Sequence, residues 1–338
     1  MGCFEAAHLK ALAENSGCPK TCDSGKDIVE GDAKDCFVSY NGPLPPLGCP
    51  AGGYLAEPCQ TMGEGVVQGN KCCYSYCQDC VCGRPFVVDG HARTAAATAT
   101  SAWISAVSAL APKPSGHHQA LAAAWRADAM DEHASVASFF AFGMELLACG
   151  APPALVAAAA QAAAQEVAHA QLCLALATRL DGQTAGPGAL DCSGGGGQRG
   201  LAELAAATVR EGCVGETIAA AHAATAASHA TEPAVREALR RIADDEAGHA
   251  ELAWRFVAWA LATGDAQVRV AVTGAFAELL GPTARFVGRH DLVGDVPATL
   301  RAQWGRLGPD EADQVTRATL RLAIAPCAAR LLTPAVPA

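Results

Sequence analysis

From about residue 119 onward, apolar side chains recur every three or four positions, the period of a helix that buries one face. This pattern predicts four long helices over roughly 119–148, 153–180, 201–230 and 233–263. Short turns within each pair of helices make the first two antiparallel neighbours and the last two likewise. The intervening stretch, which contains the four consecutive glycines 194–197, predicts a long crossover between the two hairpins.

The rest of the chain has a weaker pattern. Turn-forming residues dominate the N-terminal part apart from a short helical stretch near Phe4–Leu12, and a short helix is predicted around Trp103–Leu110. Further helices are predicted around Val268–Leu280 and Asp310–Leu332, with Pro326 expected to bend or end the last. The predicted fold class is all-α, and its parts are a small Cys-rich, loop-dominated domain (1–90), a linker with a short helix (91–118), a four-helix bundle (119–263) and a helical extension (264–338).

Cysteine is concentrated near the N-terminus, because 11 of the 16 cysteines fall between Cys3 and Cys82. The densest run is Cys72-Cys73-x3-Cys77-x2-Cys80-x-Cys82. Such density favours a disulfide-stapled domain in the cell envelope, the periplasm or a secreted protein. A zinc or iron–sulfur site is the alternative. Met1-Gly2-Cys3-Phe4 does not predict a signal peptide, so either the start is truncated, the export route is unconventional, or the thiols bind metal in the cytoplasm.

Charge and hydropathy remove two classes of partner. The formal net charge of −10 argues against non-specific binding to nucleic acid, which needs a basic surface. The Ala-rich runs are interrupted by charged residues, so no transmembrane segment is predicted.

Two Glu-x-x-His pairs carry the candidate chemistry. Glu166 and His169 occur in the second predicted helix, and Glu246 and His249 occur 80 positions later (246 − 166) in the fourth. Residues three apart share a helix face, so each pair directs a carboxylate and an imidazole to the same side.

All of these residues continue apolar stripes. Those stripes are Val136, Phe139, Phe140, Leu146 and Leu147 around Glu132 in the first helix, Leu155, Ala159, Ala162, Cys173 and Leu176 in the second, and Val235, Leu239, Ile242 and Phe256 in the fourth. An unpaired buried charge costs several kcal/mol. Carboxylates and imidazoles that point into one core are therefore best explained by a bound cation.

The third helix should supply a counterpart to Glu132. Glu166 follows Pro153 by 13 residues (166 − 153), and Glu246 follows Pro233 by 13 (246 − 233), so the two hairpins form an internal repeat. The same repeat places the counterpart of Glu132 at Gly212 (233 − 21). We prefer Glu216, four positions away and close to the same face, and keep Glu211 as the alternative ligand.

The set Glu132, Glu166-x-x-His169, Glu216, Glu246-x-x-His249 resembles the ligand pattern of the ferritin-like di-iron or di-manganese carboxylate superfamily. The string Glu132-His133-Ala134-Ser135-Val136-Ala137-Ser138-Phe139 is also similar to that of uncharacterised bacterial ferritin-like proteins. The resemblance implies a ferritin-like bundle in which these six residues bind two iron ions, with manganese as the other candidate metal. It further implies that Gln165 and Asp245 each hold the ligand histidine of the opposite hairpin.

The function implied by this resemblance is a di-iron oxidase or oxygenase that activates dioxygen or peroxide on an unknown substrate. One alternative is a ferroxidase or metal buffer. Another is a non-enzymatic envelope protein with a structural metal site and a disulfide-rich interaction domain, so the sequence leaves open whether the protein is an enzyme. An electron donor, an envelope protein or a second copy of the chain are the partners that these hypotheses imply. All four tyrosines precede residue 77, which disfavours a tyrosyl radical in the bundle.

Overall fold

The structure is a computed structural model that describes four strands in the N-terminal part and most of the chain from residue 84 onward. The described residues are the backbone of strands 28–30, 38–40, 60–68 and 71–77, and residues 84–88, 91–104, 115–195, 199–281, 293 and 295–333. Contacts divide the chain into two units: the first contains the four N-terminal strands, and the second contains residues 84–88 and most of the described chain from residue 92 onward.

The first unit contains two antiparallel strand pairs that the sequence pattern did not predict. Strand β1 (Ile28–Glu30) pairs with β2 (Val38–Tyr40), and β3 (Gln60–Gln68) pairs with β4 (Lys71–Cys77). The rest of the predicted loop-dominated domain lies outside the described residues. The predicted helix near Phe4–Leu12 and the predicted chemistry of the clustered cysteines lie outside the described residues.

The second unit is built mostly from helices, which confirms the all-α prediction for this unit. The helices are α1 (Gly116–Ala148), α2 (Pro153–Asp181), α3 (Leu201–Thr208), α4 (Thr217–His229), α5 (Pro233–Thr263), α6 (Ala266–Leu280), α7 (Ala298–Gln303), α8 (Pro309–Thr319) and α9 (Ala325–Leu332). Two π-helical segments, π1 (Val209–Glu216) and π2 (Leu320–Ile324), join α3 to α4 and α8 to α9. The short strands are β5 (Val87–Val88), β6 (His91–Ala92), β7 (Ala97–Thr98) and β8 (Gly186–Pro187).

Local sequence signals set the ends of the long helices. The Ser115 hydroxyl accepts a hydrogen bond from the backbone N–H of His118 at the start of α1. Pro153 and Pro233 occupy the first turns of α2 and α5, where the missing N–H has no helical partner to lose. Gly182, with a φ of 76°, ends α2 in the left-handed conformation that glycine adopts without strain.

Four long helical stretches pack side by side, namely α1, α2, the continuous α3–π1–α4 helix and α5. Helix α1 packs along α2, while α5 packs against both π1–α4 and α2. Many of the core positions between them are alanines, so the backbones approach closely. Adjacent α1 and α2 are joined by a four-residue turn (149–152), which makes them antiparallel.

Two details of the predicted pattern were wrong. Phe140 and Leu147 are 60% and 61% exposed, while Phe139, Phe142 and Leu146 are buried. The buried stripe of α1 thus passes through Phe142, since a neighbouring position is rotated by about 100°.

The last helix does not end at Pro326. Because π2 precedes α9, Pro326 lies in the first turn of a new helical segment, where its ring and missing N–H are tolerated. The predicted helix around Trp103–Leu110 falls mostly outside the described residues, and its described part, Trp103 and Ile104, is not helical. Among the helices that the structure describes, none combines the length and the apolar character needed to cross a membrane.

Candidate metal centre

The six sequence-predicted ligands come together in two overlapping groups in the core of the second unit. Ligand atoms lie within 4.8 Å of one another in each group, which is close to the spread of oxygen and nitrogen ligands at about 2.1 Å from one ion. The first group is Glu132, Glu166, His169 and Glu246, and the second is Glu166, Glu216, Glu246 and His249. Glu166 and Glu246 belong to both groups, so each would contribute a ligand to either site.

Segment π1 determines which glutamate of the third helix joins the cluster. Glu216 is its last residue and is fully buried. Gly212, the position that the repeat predicted, instead contacts α5 so closely that an added Cβ would lie 2.4 Å from the Cβ of Ala253. A π-helical segment contains more residues per turn than an α-helix and shifts the register of the residues after it. Glu216 thereby reaches the face that Gly212 would occupy in an unbroken α-helical repeat.

Glu211 lies outside both groups and belongs to a separate ion-pair network. Its carboxylate is 3.5 Å from Nε of Arg84 and 3.8 Å from Nη1 of Arg199. Arg199 also donates two hydrogen bonds, of 2.7 and 2.8 Å, to the carboxylate of Glu145 on α1. The alternative helix-three ligand is therefore engaged by two guanidinium groups.

Both histidines point Nδ1 at the carboxylates. The Nδ1 atom of His169 is 3.5 Å from Glu166 and 3.5 Å from Glu246, and 3.8 Å from Glu132. The Nδ1 atom of His249 is 3.2 Å from Glu166 and 3.5 Å from Glu246. Each imidazole therefore presents one nitrogen to the space between the carboxylates.

The outer nitrogens of the two histidines are held crosswise. Nε2 of His169 on α2 is 3.1 Å from Asp245 on α5, and Nε2 of His249 on α5 is 3.1 Å from Oε1 of Gln165 on α2. The side-chain amide of Gln165 in turn donates a hydrogen bond to Asp245. Hydrogen bonds of this kind fix the ring orientation and the tautomer of a metal-ligating histidine.

Replacing Asp245 by alanine should weaken metal binding about 10- to 100-fold, because His169 would lose the acceptor that orients its ring. The measurement is metal affinity by competition with a chelator of known affinity. Asp244→Ala is the matched control, since Asp244 is the preceding residue and is exposed. Equal affinities for the two variants would show that the contact between Asp245 and His169 does not orient a ligand.

Burial and neighbouring charges shift the pKa values of the cluster's members in opposite directions. Burial, together with repulsion from Glu166, holds the pKa of Glu132 well above its ordinary value, and burial with repulsion from Glu246 does the same for the pKa of Glu216. Burial would also raise the pKa of Glu166 and of Glu246, but attraction to the neighbouring imidazoles outweighs it and lowers both. Burial opposes protonation of His249, yet the two carboxylates raise its pKa to about 9. Without a cation, the cluster must therefore hold protons to offset its charge.

Several ligand atoms are buried and have no hydrogen-bond partner. These atoms are both carboxylate oxygens of Glu166 and of Glu216, Oε2 of Glu246, and Nδ1 of His169 and of His249. Buried polar atoms are normally paired, so this concentration of unpaired acceptors and imidazole nitrogens needs an explanation. Carboxylate oxygens and neutral imidazole nitrogens are the donors that divalent metal ions take, and the described residues fit a pair of such ions.

Comparisons with protein-family models, curated proteins and solved structures find no match to this chain.

A cavity of about 180 Å³ adjoins the cluster, and Glu132 and Glu246 are among its lining residues. Aromatic and aliphatic side chains form most of its wall, including Trp125, Leu239 and Ile242. The cluster thus has a space beside it that a small molecule would fill.

The sequence analysis missed two arginines, one in the neighbouring ion-pair network and one in the wall of the cavity. Arg84 is 1% exposed and precedes the long helices, in a stretch without helical periodicity. Arg306 follows Gly305 in the C-terminal extension, where no chemistry was predicted, and it lines the cavity. No local pattern marks either residue, because both reach the core from connecting segments and not from a helix face.

Proposed function

We propose that the second unit is a ferritin-like protein that binds two iron ions and acts as an oxidase or oxygenase on a small substrate, with dioxygen or peroxide as the oxidant. The observation that carries this proposal is the sharing of Glu166 and Glu246 by two groups of ligand atoms. A single ion would need only one group, whereas two overlapping groups with common carboxylates suit a pair of ions.

The charges of the ligand set support the same stoichiometry. Four carboxylates contribute four negative charges, which two divalent ions would balance while both histidines remain neutral. Carboxylate and imidazole ligands suit iron and manganese, and no thiol belongs to either group. When both ions are iron, the pair would supply the electrons for a two-electron reaction with dioxygen or peroxide.

The chain's own residues provide the conditions for such a reaction. Glu166, Glu216, Glu246 and both histidines are almost completely buried, which excludes bulk water from the centre. Glu132 is 18% exposed and lies at the cavity, so the cavity is the side on which a substrate would approach. A metal buffer does not need an apolar cavity beside its ligands, and this feature favours an enzyme over a ferroxidase or a buffer.

The test is the metal content and oxygen consumption of the full chain produced with ample iron. We expect about two iron ions per chain, ferric absorption in the near ultraviolet, and oxygen uptake when a chemical reductant is added. The control is Glu166→Gln, which should abolish metal binding and oxygen uptake together. A wild-type chain that binds neither iron nor manganese would contradict the proposal, and a manganese pair would replace iron in it.

A further inference from the structure

The cavity beside the metal centre is large enough for a specific small molecule. Its volume of about 180 Å³ exceeds the roughly 150 Å³ of an apolar cavity known to bind benzene. Trp125, Leu239, Ile242 and Leu307 contribute apolar surface, and Ala219, Ala223 and Ala226 leave room by their small size. The walls therefore suit an apolar body of about one ring.

Arg306 supplies a charged group to this largely apolar cavity. The chain turns tightly at Gly305, with a φ of 67°, against the side chains of Val235 and Leu239. The guanidinium of Arg306 then lies 4.0 Å from the centre of the Trp125 ring, and its Nη1 is paired with Asp128 at 2.5 Å. The ring and the ion pair hold the guanidinium in one orientation.

One edge of this guanidinium is unused. Nε and Nη2 of Arg306 are buried and have no hydrogen-bond partner, although the side chain is only 15% exposed. These two nitrogens form the edge from which arginine donates two parallel hydrogen bonds to a carboxylate. Buried donors are costly when they are left unpaired.

We propose that the cavity binds a small carboxylate with an apolar body, held through its carboxylate by Nε and Nη2 of Arg306. That this carboxylate is the substrate rests on the proposed function, whereas its binding in the cavity rests on the cavity and Arg306 alone. Four carboxylates also line the cavity, those of Asp128, Asp131, Glu132 and Glu246. They favour a ligand whose negative charge is confined to the end that meets the arginine.

Benzoate is a suitable probe, and benzyl alcohol is its neutral counterpart of similar size. Binding would be measured by calorimetry on the full chain, both metal-loaded and metal-free, so that direct coordination to a metal is separated from recognition by Arg306. We expect benzoate to bind both forms and benzyl alcohol to bind at least about tenfold more weakly. Arg306→Lys, which keeps the charge but loses the two-donor edge, should weaken benzoate at least about tenfold.

Two further variants make the test decisive. Ala223→Leu should block benzoate by filling the cavity, while Arg255→Lys, at an exposed arginine on α5, should bind like wild type. Metal content should be the same in Arg306→Lys, Arg255→Lys and wild type. A wild-type chain that binds benzoate but no metal would overturn only the proposed function. Absence of benzoate binding, equal binding of benzyl alcohol, or unchanged benzoate binding in either Arg306→Lys or Ala223→Leu would overturn the carboxylate site.

Discussion

Replacing either Glu166 or Glu246 by glutamine should remove both metal ions at once. Each carboxylate belongs to both groups of ligand atoms, and glutamine keeps its shape while losing its charge. We therefore expect elemental analysis to fall from about two ions per chain to near zero in either variant.

The unshared glutamates provide the contrast for this prediction. Glu132→Gln affects only the first group and Glu216→Gln only the second, so each should retain more metal than a variant of a shared glutamate. Glu251→Gln is the matched control, since Glu251 is an exposed glutamate on the same helix as Glu246 and should leave the content unchanged. Equal loss in Glu132→Gln and Glu166→Gln would show that the two groups are not separate sites.

Replacing Arg84 by methionine should lower the free energy of unfolding by about 3–5 kcal/mol, the usual cost of removing one partner of a buried ion pair. Arg84 is fully buried, lies 4.0 Å from the centre of the Phe142 ring and faces Glu211 at 3.5 Å. Methionine fills similar space but leaves the Glu211 carboxylate with only the more distant Arg199. The measurement is urea unfolding of the metal-free chain, which separates this effect from stabilisation by metal.

A double variant identifies the cause. Arg84→Met combined with Glu211→Leu should regain most of the lost stability, because no buried charge is then left unpaired. Arg255→Met, at an exposed arginine, should change the free energy of unfolding by less than about 0.5 kcal/mol. If the double variant is less stable than Arg84→Met alone, the ion pair is not the source of the loss.

The helices of the second unit were predictable because their signals are local. Pro153 and Pro233 mark helix starts, and the three-residue spacing of Glu166 with His169 fixes their common face. The crosswise contacts of Asp245 and Gln165 also follow from their positions beside the ligands, once the two hairpins are placed face to face.

The features that the sequence did not determine depend on packing and backbone register. The choice between Glu211 and Glu216 turns on π1, whose additional residues per turn no apolar period shows. The exposure of Phe140 depends on which neighbours cover α1. Arg84 and Arg306 enter the core from connecting segments, so their burial requires the assembled fold.

The shared carboxylates have a consequence for how the two halves of the unit stay together. The first group takes three ligands from the α1–α2 hairpin and only Glu246 from the other, while the second takes three from the π1–α5 hairpin and only Glu166 from the first. Neither half contains a complete coordination set, and each lends one carboxylate to its counterpart. If the cluster binds metal as proposed, metal uptake and the docking of the two halves would be thermodynamically linked, and a pair of ions would hold the two hairpins together.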